Sequence, residues 1–579
     1  MKRFNPCRPV AAACLALAAC GGAQAGSNVI TVGIAGLSNN CTVSTVQAAI
    51  DEARRRGGHQ VVWVTRNVAG GSWTNQRLSI TDQDIDLVGG FDDCNDITPS
   101  DYTYLSGAGG TAAPVLRIRG GGVINIKGLA FVGGDASAGG DAGGIDYQGR
   151  GSLNLEETVV LSNSATGHDV GGIDFEGSGG QAFLTLLNGV SISENAKAGL
   201  RVSGTATLTM TGERNFIWNN GTAGLLVSHP AQAFIGAASF DNRGVFHRNG
   251  GPGIVASTNG SGTGTAFVKL YSADVWRPLG FTANAGPAIV VNSRDAGAAR
   301  MTVCAKNIRI ADHIVALNTV PANNGNLVSV EGQGAHFALN TECDYPSNAE
   351  QQCAPLGQTF CNLLQDNSVT GGRALIGAVD GGSAEVRNVR ITGNTAPYIL
   401  QTAQAAGMAD SQIDAKNLLI DQNNVILNLI NVNPGGVFVG ANLTLTHNSG
   451  KFFSLRSEAP TFFSLSASIV NQEQPLLNMG GDPLLTQLLG VLTPNGIGVR
   501  PGHVLLLGSP SYLPGTFQLS PFSQGIDYAP AAGGSDIDGR PRDVDDPFIH
   551  NHEGPRDLGA FETQVLGGDR IFASGFQPF

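Results

Sequence analysis

Gly143-Gly144-Ile145-Asp146 returns as Gly171-Gly172-Ile173-Asp174. It then recurs as Ala198-Gly199-Leu200, Ala223-Gly224-Leu225, Pro252-Gly253-Ile254 and Pro287-Ala288-Ile289. Counted at the apolar residue, the steps are 28, 27, 25, 29 and 35 residues. A period in this range marks a solenoid, in which no unit can bury its apolar face alone and each must stack on the next. Around each mark the apolar residues alternate with others: Leu200 and Val202 interleave with Arg201 and Ser203, Leu225 and Val227 with Leu226 and Ser228. Period two is strand spacing. The units are rich in Val, Ile, Thr and Leu and are separated by Gly, Asn and Ser, which predicts short strands joined by turns.

A second series runs beside the first: Asn163, Asn195, Asn220, Asn249 and Asn284, with Asn394, Asn424 and Asn448 later. Asparagine tolerates left-handed turn geometry, and its amide can bond to an identical neighbour one coil away. The two series together predict a parallel β-helix whose coils rise by ~4.8 Å, the spacing of hydrogen-bonded strands.

These residues resemble the right-handed parallel β-helix family, the pectate-lyase-like superfamily, from about Arg117 to Asn471. The resemblance implies an all-β right-handed parallel β-helix solenoid with an N-terminal helical cap and a C-terminal closing segment. It implies a fold and no particular activity.

The cap is expected at Ser44–Arg54, where Val46, Ala49, Ile50 and Ala53 form one apolar stripe, Ser44 and Gln47 read as a capping box, and Gly57 ends the helix. In proteins of this fold, such a helix plugs the open end of the first coil, which would otherwise expose core and unpaired strand edges. The organisation expected is a signal peptide over 1–20, cap and first coils over 21–114, regular coils over 115–303, a cysteine-containing insertion over 304–366, further coils over 367–470, a closing segment over 471–563 and a tail over 564–579.

The chain begins with basic Lys2, Arg3 and Arg8 and an apolar run from Val10 to Ala19, the pattern of a secretion signal. Leu17-Ala18-Ala19-Cys20-Gly21 is similar to the lipobox of bacterial lipoproteins, which implies acylation of Cys20 and an outer-membrane or cell-surface location. The competing reading is cleavage after Ala23-Gln24-Ala25, giving a soluble secreted protein. Loss of the three basic residues takes the formal charge from −12 to −15, which argues against a nucleic-acid partner. A monomer is expected.

Cys7, Cys14 and Cys20 lie in the leader; Cys41, Cys94, Cys304, Cys343, Cys353 and Cys361 follow it. Six cysteines in an exported chain predict three disulfides, Cys41 with Cys94 and the other four among themselves. Zinc would need closer cysteine spacing with histidine nearby.

The run from Ser520-Pro521 through Ile526-Asp527, Asp536-Ile537-Asp538-Gly539 and Arg542 to Asp557-Leu558-Gly559-Ala560-Phe561-Glu562 is similar to the C-terminal closure of secreted bacterial β-helix proteins of the choice-of-anchor Q kind. Asp536 and Asp538 within it either begin a calcium loop or cap turns. His550 and His552 could ligate a metal or sit in a solvated loop, and Trp73, Trp218 and Trp276 could stack on sugars or pack in core.

The strand register supplies the candidate site. If Ile145, Ile173 and Leu200 point inward, Asp146, Asp174 and Arg201 stack outward ~5 Å apart. Glu176 shares their face, and His168 lies in the turn just before. β-helix enzymes, as the resemblance implies, use such ladders of carboxylates and basic groups on polysaccharides, in some cases with Ca²⁺. Paired carboxylates suit general acid–base chemistry or a cation site, and outward Asp and Arg on adjacent strands equally suit ordinary surface pairs. The signature motifs of polygalacturonases and pectate lyases are missing, and only Gly167-His168-Asp169 matches part of one. The expected function is therefore non-catalytic binding of a glycan or cell surface. A lyase or glycosidase acting on an anionic polysaccharide is the alternative.

Overall fold

The computed structural model describes residues 28–564, apart from 34–39, 67–72, 110–111, 138–139, 237–243, 259–262, 273–277, 294–297, 316–324, 341–342, 344–361, 371–372, 405–407, 456–461, 473–477, 480–485, 495–503, 522 and 547–548. Cys20, Cys353, Cys361, Trp276 and the tail beyond Gln564 lie outside the described residues.

The chain is nearly all β and winds as a parallel β-helix, each strand pairing in parallel with its counterpart one coil on. The repeat phrase sets the register. Leu78, Leu116, Ile145, Ile173, Leu200, Leu225, Ile254, Ile289, Val328, Ile376, Leu400 and Ile430 stand one over another. They are buried throughout and belong to one continuous core. The long strands Ile145–Glu156, Val170–Leu186 and Ala198–Met210 bend and serve two stacks each, the second carrying Leu153, Leu184 and Leu208 inward. Short strands such as Val159–Leu161, Ser191–Ser193 and Phe216–Trp218 make the third stack. Inside, like sits on like: Tyr147 stacks on Phe175 at 4.2 Å, Phe246 on Phe281 at 5.0 Å and Phe438 on Phe463 at 5.2 Å.

The asparagines form a buried ladder between the third stack and the first. Asn163 Nδ2 donates to Asn195 Oδ1, Asn195 to Asn220, Asn220 to Asn249 and Asn249 to Asn284, at 2.9–3.0 Å. Each rung also donates to a strand carbonyl of the preceding coil, as Asn220 does to Ile192 O at 3.1 Å. The ladder explains the glycine of the repeat phrase. A Cβ on Gly144, Gly172 or Gly199 would stand 2.9, 2.9 or 2.7 Å from the amide nitrogen of Asn163, Asn195 or Asn220, closer than any side chain fits. The two series in the sequence are therefore one packing unit. In the later coils the rungs are Asn367, Asn394, Asn423 and Asn448. The expectation placed Asn424 on the ladder; the rung is its neighbour Asn423, and Asn424 turns outward to accept from Ser449 Oγ. A shift of one residue is enough, because successive side chains point to opposite sides.

The cap helix spans Val46–Arg56, burying Val46, Ala49, Ile50 and Ala53 against the first strands. Gly57 ends it at φ 71°, where a side chain would be strained. Its N-cap is Thr45, whose hydroxyl accepts from Ala48 N at 3.2 Å, and not Ser44. Gln47, read as the other half of a capping box, instead clamps Ser79 with both ends of its amide. Cys41 and Cys94 are bonded, as are Cys304 and Cys343. Within 304–366, strands Ile308–Ala311, Val328–Glu331, Ala335–Leu339 and Leu363–Gln365 stack in register with the coils on either side.

The last segment lies along the flank of the final coils. Ala560 N donates to Thr444 Oγ1, Gly559 N to Ala467 O, and Arg390 pairs with Asp538 at 2.7 Å. Leu419, Ile537, Ala560 and Phe561 form one small core there, and Ile469, Leu492, Leu519, Ile526 and Leu558 belong to another. Arg542 is buried inside the segment, donating to Gly559 O at 2.6 Å and standing 3.8 Å from Glu562.

Candidate functional site

The register places Arg117, Asp146, Asp174 and Arg201 in one outward file on the first stack, followed in later coils by Leu226 and Val255. The parallel file two residues along holds Arg119, Gln148, Glu176 and Ser203, then Ser228, Ser257 and Asn292. The inward neighbours Ile145, Tyr147, Ile173 and Phe175 anchor these strands in the core, so the outward side chains stand on a rigid sheet.

Asp174 is closed on two sides. Arg201 grips it with two donors, Nε to Oδ1 at 2.8 Å and Nη2 to Oδ2 at 2.5 Å, the fork geometry that arginine makes with carboxylates. His168 Nε2 lies 3.3 Å from Oδ2. Val170 N donates to His168 Nδ1 at 3.2 Å, which holds the ring in place beside the carboxylate. Asp146, one coil back, pairs with Arg119, which also donates to Asp146 O at 3.1 Å and to Asp141 at 3.3 Å. Asp141 is shared with Arg117. Burial pushes the Asp146 carboxyl up to about 6; Arg119 pulls against this, while Asp141 and Asp174 add to it. Glu176 stands apart from the pairs, half-buried, with Gln148 Nε2 at 3.5 Å.

The structure thus brings Asp146, Asp174, Arg201 and His168 together and leaves Glu176 beside them. Arg117, Arg119 and Asp141 complete the network and were not anticipated. Arg117 and Arg119 were legible, being one coil before Asp146 and Gln148 on alternating positions. Asp141 reaches in from a turn, where no register applies.

Asp536 and Asp538 do different work. Asp536 accepts from the backbone of Asp538, Arg540 and Glu562 at 2.8–3.1 Å, which caps a turn of the closing segment. Asp538 pairs with Arg390. His552 stacks on Tyr528 at 4.6 Å. Trp73 is buried and donates to Thr65 O, while Trp218 is half-buried and donates to Ser191 Oγ. Among the described residues, no group of three or more His, Cys, Asp and Glu is arranged around a common point fit for a metal ion.

No protein-family model matches this chain, and no curated protein matches it either.

Proposed function

We propose that this chain is an exported, cell-surface-associated β-helix protein that binds a glycan along the outward face of its first stack without cleaving it. The observation that supports this is the state of Asp174. Its carboxylate lies in the two-point grip of Arg201 with His168 Nε2 3.3 Å away, so this ion pair is closed within the chain and not left open toward a substrate. The neighbouring file of Gln148, Glu176, Ser203, Ser228 and Ser257 is half-buried or exposed. Its amide, carboxylate and hydroxyls suit sugar hydroxyls, and Leu226 and Val255 offer apolar surface beside them. The likeness of the last segment to choice-of-anchor Q closures and of Leu17–Gly21 to a lipobox supports export and a lipid anchor at Cys20. Mass spectrometry of the mature N-terminus separates acylated Cys20 from a start at Gly26.

One observation favours the alternative, a polysaccharide lyase or glycosidase: Asp146 and Asp174 sit one over the other, and Asp146 is raised. The test is a turnover screen on anionic polysaccharides, with and without Ca²⁺, repeated with Asp174→Ala, alongside retention of the same polysaccharides on immobilised protein. Retention without turnover supports the binding reading; turnover lost in the variant overturns it.

A further inference from the structure

At the corner between the second and third stacks, near the N-terminal end, a cleft of about 600 Å³ opens between successive turns and the segment 99–102. The turns form one wall. Gly128 N donates to Glu157 O at 3.0 Å, Glu157 N to Asn188 O at 2.8 Å and Gly189 N to Glu213 O at 3.1 Å, so the wall is a backbone ladder with side chains projecting from it. The opposite wall is braced from several directions. Ser100 N donates to Gly90 O at 2.8 Å, Thr103 N to Gly128 O at 2.9 Å, and Asp101 lies 3.6 Å from Arg66, which also pairs with Asp92. The Cys41–Cys94 disulfide ties down the loop leading into this wall. Both sides are held before any ligand arrives, which limits the ordering cost of binding.

The chemistry of the lining is mixed. Asp101, Glu157 and Glu213 offer acceptors, and Lys127 and Arg214 offer donors. Lys127 is already shared with Glu156 at 3.1 Å and Glu157 at 3.6 Å. Tyr102 contributes the aromatic ring. Tyr102 lines the cleft together with Asp101 and Glu157, and its backbone N–H donates to Asp101 Oδ1 at 2.8 Å; burial raises its hydroxyl, with the Glu157, Tyr104 and Asp101 charges adding to that. The volume falls within the range of ligand sites, ~300–1,000 Å³. The apolar pockets that anchor a peptide are missing from the lining, and its alternating charges do not suit a polyanion.

We propose that this cleft is a binding site for a short, uncharged oligosaccharide, with the Tyr102 ring as the stacking surface and Glu157 and Asp101 as hydroxyl acceptors. It is a second site, on a different corner from the glycan face proposed above, and does not depend on that face.

The test is calorimetric titration of the intact protein with xylotriose, cellotriose, maltotriose and triacetylchitotriose, with a casein peptide mixture alongside. At least one trisaccharide is expected to bind. Tyr102→Ala should weaken it about tenfold or more, whereas Tyr102→Phe, which keeps the ring, should retain most of the affinity. Glu157→Gln provides a second lesion, and Asp410→Asn, at an exposed residue between later strands and outside both proposed sites, should leave this binding unchanged. Heat from none of the four sugars, heat from the peptides alone, or binding that survives Tyr102→Ala in full overturns the site. Loss of binding in Glu176→Gln with retention in Tyr102→Ala would assign the sugar to the first-stack face instead.

Discussion

His313 Nε2 lies 3.4 Å from the amide nitrogen of Asn284, at the point where the other coils of the ladder carry asparagine. His313 Nδ1 lies 3.1 Å from Gly286 O, and the backbone N–H of His313 donates to Asn367 Oδ1 at 3.1 Å. The ring therefore fills a rung only when neutral, donating from Nδ1 and accepting at Nε2. A second ring proton would face the Asn284 N–H₂ group.

That geometry makes the fold acid-sensitive. His313 is fully buried, and desolvation lowers it from an ordinary 6.5 to about 4, against the weaker raising pull of the Gly286 and Phe281 backbone. Between those values the unfolded chain holds the proton at this residue and the folded one does not, so the contribution of His313 to stability rises with pH from about 4 to 6.5 and is level above. The full effect is on the order of 3 kcal/mol. The stability difference between the native protein and His313→Asn, taken from denaturant titrations, should change by this amount across the window, and a constant difference would contradict it.

Asn423 and Asn424 make a contrast within one dipeptide. Asn423 donates to Ile391 O, Asp421 O and Asn448 Oδ1 and accepts from Asn394, all buried or partly buried. Asn423→Ala strands these partners and should cost about 2–4 kcal/mol. Asn424→Ala, on the exposed side, should stay within about 0.5 kcal/mol. Urea midpoints of the two variants measure the difference, and equal midpoints would contradict the rung assignment.

Asp174→Ala removes the acceptor of the Arg201 fork, next to His168. Leaving a half-buried guanidinium without its fork partner should destabilise by about 2 kcal/mol, below the cost for a fully buried pair because Arg201 keeps some solvent contact. Arg201→Ala with Asp174→Ala should be milder than the sum of the single changes. Thermal melts of the four-protein cycle give the coupling directly.

Arg542 holds the closing segment from within. It is 5% exposed, donates to two carbonyls and faces Glu562. Arg542→Ala should cost about 3–5 kcal/mol in the docking of this segment. Hydrogen exchange should rise across residues 511–564 while the ladder around Asn195–Asn249 stays protected. Uniform loss of protection would mean that the segment and the coils unfold as one.

Much of the architecture was readable because a solenoid writes its contacts into the period. Ile145, Ile173 and Leu200 share a column since each is one coil from the next, and the same arithmetic delivered Asp146 beside Asp174. The reading failed wherever contact does not follow the period. Asp141 enters the site from a turn, Thr45 and not Ser44 caps the helix because of where the first turn closes, and Asn423 displaces Asn424 by a single residue that spacing does not resolve.

From the amino-acid order alone come the parallel coils, the inward columns and the stacking of charged residues on one face, because local alternation and a repeat near 28 residues leave one way to bury the apolar side chains. Only the folded molecule decides what those charged residues are free to do. The partners of Asp174, the elevation of Asp146 and the cleft beside Tyr102 arise from segments distant in the chain, and electrostatics depends on distance and burial that no one-dimensional pattern encodes.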